Sequence, residues 1–153
     1  MRSVVLVFIF LQRFLLSTFS FQTLTPRPQF HRMNHLMSIV ENIITKDQFT
    51  QIVASNAGSG KPAVVDFQKS QCKPCIRIAP EFDALAVKYD SQVNFYKVDA
   101  DTSKEALLLL KQEGVRSVPT FQVYFGGEKV DRVQGAHIDE LEAILTGILN
   151  SKK

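Results

Sequence analysis

Residues 66–78 read DFQKSQCKPCIRI and hold both cysteines of the 153-residue chain, Cys72 and Cys75, with only Lys73 and Pro74 between them. Immediately before them AVVDF (63–67) is a short, valine-rich apolar run, as a buried central strand should be. After them Ile76, Ala79, Phe82, Leu85, Ala86 and Tyr89 recur at helical spacing. Pro80 lies inside that stripe; it lacks an N–H and crowds the preceding turn, so a kink is expected there. The cysteine pair therefore falls where a strand passes through a short turn into a helix, with Cys72 at the helix start and Cys75 in its first turn.

Strands and helices alternate outward from this junction. SIVENI (38–43) reads as a short first strand. Thr45 with Gln48 forms a capping-box pattern opening a helix with Phe49, Ile52 and Val53, which Gly58 and Gly60 end. VNFYKV (93–98) is the next strand, followed by a helix capped by Asp101 or Thr102 that runs to Gly114. TFQVYF (120–125) enters from Pro119 and turns through Gly126 and Gly127 into KVDRVQ (129–134), the pattern of an antiparallel hairpin. A last helix spans about 138–149 on the apolar face Leu141, Ile144, Leu145 and Ile148. This order predicts one α/β domain with a mixed sheet covered on both faces.

Two cysteines this close can hold a metal, staple a loop or exchange electrons. A structural zinc site needs four ligands, and the only histidines are His31, His35 and His137, two near the N-terminus and one far down the chain. So small a loop removes little entropy from the unfolded chain, which weakens the staple reading. Electron exchange fits the context. A helix N-terminus presents unpaired N–H groups and a favourable dipole to an anion, so Cys72 is the expected thiolate and attacking sulfur. Cys75, deeper in the helix, is then the resolving thiol.

VDFQKSQCKPC resembles the active-site region of thioredoxins, and the similarity extends over residues 38–150. It implies the thioredoxin fold, a mixed five-stranded sheet flanked by four helices, and protein dithiol–disulfide oxidoreductase activity without a bound cofactor. By the same resemblance Asp66 lies buried behind the second cysteine and assists proton transfer, paired loosely with Lys97. A buried carboxyl should titrate high, which suits proton exchange with Cys75. Pro80 matches the kinking proline. Val118, Pro119 and Thr120 match a cis-proline loop that binds substrate together with Lys73, Pro74 and Gly135. The implied partners are disulfide-containing client proteins and a thioredoxin reductase or other thiol donor, and a monomer is expected.

Two features depart from that pattern. The chain has no tryptophan, and Gln68 and Gln71 stand where tryptophans are usual. Lys73 stands where glycine is common; a cation beside Cys72 favours the thiolate and so a more oxidising couple. An exposed lysine is worth about 1 kcal/mol or less, against roughly 4 kcal/mol between reductase-type and isomerase-type couples. A reductase remains the expected activity. The alternatives are a redox-responsive binding module on the same fold, or an oxidase or isomerase in the secretory lumen.

The net charge of +3 comes from the N-terminal segment, since residues 1–40 hold four arginines and no acid. From residue 41 onward 14 Lys and Arg face 15 Asp and Glu, a balance of −1. The folded part thus has no basic footprint for nucleic acid. Residues 1–20 resemble a signal peptide, with Arg2 ahead of VVLVFIFL (4–11), a run too short to span a membrane comfortably. Residues 21–37 have a transit-peptide composition, and 38–153 form the expected domain. The two-part leader resembles presequences that reach plastids of secondary endosymbiotic origin. Simple secretion, or a cytoplasmic protein starting at Met37, are the other readings.

Overall fold

A computed structural model describes residues 39–152; the expectations for 1–20 and 21–37 lie outside the described residues. The elements are β1 (Val40–Asn42), α1 (Lys46–Ser59), β2 (Ala63–Gln68), α2 (Lys73–Tyr89), β3 (Asn94–Asp99), α3 (Lys104–Gln112), β4 (Thr120–Phe125), β5 (Glu128–Gln134) and α4 (Ile138–Asn150). The strands lie in the order β1-β3-β2-β4-β5. β3 runs parallel to both β1 and β2, β4 is antiparallel to β2, and β5 is antiparallel to β4. This is the expected mixed five-stranded sheet with four helices.

Alternation along β2 divides the interior in two, because successive side chains on a strand point to opposite faces. Val64 faces a core closed by Ile78, Phe82 and Leu85 of α2 and by Leu141 and Leu145 of α4. Ala63, Val65 and Phe67 face the other core, with Phe49 of α1 and Ala106 and Leu109 of α3. Phe82 centres the first core, stacked on Phe121 at 5.4 Å and edge-on to Phe95 at 5.5 Å between ring centroids. Asp66 shares the side of β2 occupied by Val64, so it points toward α2.

Local signals account for several boundaries. Thr45 and Gln48 form the expected capping box, the Thr45 hydroxyl accepting from Gln48 N–H at 3.2 Å and the Gln48 side chain accepting from Thr45 N–H at 3.1 Å. Gly126 and Gly127 turn the hairpin with φ of 63° and 86°, the left-handed pair a two-residue connection of this hand requires. Val123 pairs with Asp131 but Tyr124 with Lys129, leaving Val130 as a bulge on the outer strand.

Two sequence expectations are corrected. The α3 cap is Ser103, whose hydroxyl accepts from Ala106 N–H at 3.0 Å. Asp101 and Thr102 are engaged elsewhere, the first with Ser70 and the second with the Asp99 carbonyl. Ile76 does not face the core but is 60% exposed. The buried stripe of α2 runs instead through Cys75, Ile78, Phe82, Leu85 and Ala86. Among the described residues no helix is long and apolar enough to cross a membrane.

Candidate active site

Cys72 is the N-cap of α2, its Sγ accepting from Cys75 N–H at 3.3 Å and its carbonyl from Ile76 N–H at 3.0 Å. Pro74 fits the first turn because its missing N–H would have no intrahelical partner there. Cys72 and Cys75 are joined as a disulfide with their Cα atoms 5.2 Å apart. The two sulfurs sit in unlike surroundings. Cys72 is half-buried, with exposed Gln71 and Lys73 on either side, whereas Cys75 is 2% exposed. An incoming disulfide has access to the first and not to the second.

The loop between α3 and β4 faces the dithiol. The Val118–Pro119 peptide bond is cis, and the Val118 carbonyl oxygen lies 3.7 Å from Cys72 Sγ. The Pro119 carbonyl accepts from Gly135 N–H at 2.8 Å, tying this loop to the end of β5. Gly135 has φ of 90°, a left-handed backbone conformation that favours glycine. Thr120 is buried and donates its hydroxyl to the Ser117 carbonyl at 2.7 Å. Of the Val118-Pro119-Thr120 stretch, Val118 is the residue with exposed surface.

Asp66 is 1% exposed, and its Oδ1 has no hydrogen-bond partner among the described residues. Burial pushes its carboxyl up to about 7; the Lys97 ammonium opposes this, while the charges of Asp83 and Asp99 reinforce it. Lys97 is the β3 register partner of Asp66. Its ammonium is nevertheless bonded to Asp83 of α2, at 2.8 Å, and lies 5.5 Å from the centre of the Phe82 ring. Asp66 and Lys97 are thus neighbours across the ladder, while the ion pair of the lysine is made with a third residue that sequence reading did not single out.

A second unanticipated feature braces the turn before Cys72. Ser70 donates its hydroxyl to Asp99 at 2.5 Å and its N–H to Asp101 at 3.0 Å, and Ala100 N–H bonds the Gln68 carbonyl at 3.0 Å. A polar clamp to the β3–α3 loop therefore holds a segment that has no aromatic side chain. The signal in the sequence is weak, since serine and aspartate are ordinary loop residues.

A strand, a dithiol at a helix N-terminus and a facing cis-proline loop define a dithiol–disulfide oxidoreductase domain. A family profile described as Thioredoxin matches residues 40–147. The thioredoxin of Malassezia sympodialis is 35% identical over 108 residues, covering 70% of this chain and 96% of that protein. The short form of thioredoxin f from spinach chloroplast superposes with a TM-score of 0.64 at 35% identity, covering 71% of this chain and 92% of that one. A chain from a crystal structure of a ferredoxin:thioredoxin reductase and thioredoxin f2 complex gives 0.63 at 34% identity, covering 71% and 93%. The chain belongs to the thioredoxin family and is a dithiol–disulfide oxidoreductase of thioredoxin type.

Proposed function

We propose that the protein reduces disulfides in client proteins through unequal roles for its two cysteines. The Cys72 thiolate attacks a client sulfur, forming a mixed disulfide and releasing one client thiolate. Asp66 takes the proton of the Cys75 thiol, and the Cys75 thiolate attacks Cys72 Sγ. The second client thiolate leaves, and Cys72 and Cys75 end as the disulfide. Two electrons pass to the client, and a donor dithiol restores them. The carrying observation is the asymmetry of exposure, Cys72 half-open beside the Val118 carbonyl and Cys75 at 2%. Val118 and Gly135, with Lys73 and Pro74, line the place where an extended client segment lies; the buried Pro119 and Thr120 shape it from beneath.

In a Cys75→Ser variant the mixed disulfide cannot be resolved. Incubated with cell extract, it should retain many proteins that a thiol reductant releases. Retention of one partner, unaffected by reductant, favours the binding-module reading instead.

The donor is taken to be a thioredoxin reductase, with the ferredoxin-dependent class favoured by the complex that contains thioredoxin f2. The likeness to a spinach chloroplast protein and the two-part composition of residues 1–37 support a plastid destination, with 38–153 as the mature domain. N-terminal sequencing of the protein from its cells should then find a start near residue 38. A start near Phe21 would indicate secretion alone, and a start at residue 37 or 38 on protein recovered from the cytosolic rather than the plastid fraction would indicate translation from Met37.

A further inference from the structure

Lys97 is positioned by α2 rather than by its own strand. Its side chain is 16% exposed, so most of its length is packed inside, yet its ammonium ends on an Asp83 carboxylate that is 57% exposed. The Phe82 ring, next to Asp83 on the same helix, lies 5.5 Å from that ammonium. The buried Asp66 carboxyl is Lys97's neighbour across the β2–β3 ladder and keeps an oxygen without a hydrogen-bond partner among the described residues. One cation thus stands between two carboxylates and is bonded to the outer one.

From this geometry we infer that Asp83 is a positioning residue for the redox reaction: it holds the Lys97 ammonium away from Asp66, so that the buried carboxyl stays free to exchange a proton with Cys75. The inference rests on the proposed role of Asp66 as that proton acceptor. A lysine released from Asp83 would swing inward, because an unpaired buried oxygen is a better partner than none. An ammonium in contact with Asp66 would hold it ionised and make it a poorer base. The charged groups acting on Asp66 are Lys97 and Asp99 from β3 and Asp83 from α2. The cysteines of α2 are uncharged as the disulfide, and β4 places the apolar Phe121 opposite Asp66.

The reaction keeps its balance. The proton leaves Cys75 for Asp66 when the mixed disulfide is resolved and returns to a cysteine when the donor dithiol reduces the pair. Asp83 and Lys97 exchange no proton and touch no reacting sulfur.

The test follows the Asp66 carboxyl by carbon NMR in oxidised, carboxyl-labelled protein. In Asp83→Asn its titration midpoint should fall by about one pH unit or more, and the pH profile of client reduction should move the same way. Asp83→Glu should restore the wild-type midpoint. Removing Asp83 also removes a nearby negative charge, which alone lowers the midpoint, so the comparison is repeated in a Lys97→Gln background. There only that direct charge effect should remain, so the fall caused by Asp83→Asn should be clearly smaller than in the wild-type background. An equal fall in both backgrounds, an unmoved midpoint, or an Asp83→Glu variant that titrates like Asp83→Asn would each overturn the inference. Asp83 is largely exposed on its helix, so these variants are expected to fold. Failure of the Asp66 reading shows elsewhere, as an Asp66→Asn variant with an unaltered pH–rate profile.

Discussion

The Cys72→Ser variant is expected to reduce insulin disulfides about a thousandfold more slowly than the wild type, or worse. A serine hydroxyl is not ionised near neutral pH and cannot form the mixed disulfide on which every later step depends. Cys75 does not substitute, because at 2% exposure its sulfur is closed to a folded or extended client. The loss is therefore one of chemistry and not of folding. The reduced wild type and the variant should unfold at similar urea concentrations, since Cys72 is a half-buried N-cap and serine is a good residue there. Insulin turbidity with a thiol donor measures the first quantity and a urea titration the second.

Asp66→Asn is expected to stabilise the protein at high pH while slowing it. The carboxyl titrates at about 7 in the folded state against 3.8 for an unburied aspartate. The folded state therefore holds this proton more tightly than the unfolded chain does. The resulting stability is complete below about pH 4, declines above it, and is gone once pH has risen through 7. Above that the ionised, buried carboxylate costs as much as about 4 kcal/mol relative to the acid form. An asparagine is not charged by raising the pH. Its advantage in the oxidised protein should be largest at pH 8 and small at pH 4, as read from urea unfolding at both values. The same change removes the proton acceptor for Cys75, and client reduction should slow by at least about tenfold. A stability gain that was equal at pH 4 and pH 8 would mean that the charge of Asp66 is not its cause.

Elements with local signals were legible in the sequence. The valine run of β2, the capping box of Thr45 and Gln48 and the paired glycines of the hairpin each state their structure within a few residues. The cysteine spacing likewise located the dithiol, and the resemblance to thioredoxins implied the loop that faces it. What escaped depended on contacts between distant elements. Ser103 caps α3 while Asp101 accepts from Ser70 across the loop, and nothing near residue 101 reveals that contact. Ile76 fits a helical stripe as well as Ile78 does, but the phase of α2 is set by burial of Cys75 and Phe82 against the sheet. Lys97 has Asp66 beside it in the ladder and Asp83 on a helix above it. Choosing between them required the packed position of α2.

The order of the two cysteines is tested most directly by peptide mapping of trapped complexes. Reduced Cys75→Ser and reduced Cys72→Ser are each incubated with a disulfide-bonded client such as insulin, then alkylated, digested and analysed by mass spectrometry. The expected product is a client cysteine linked to Cys72 in the Cys75→Ser protein, with no comparable link to Cys75 in the Cys72→Ser protein. Equal linkage through Cys75, or the absence of any link through Cys72, would contradict the mechanism.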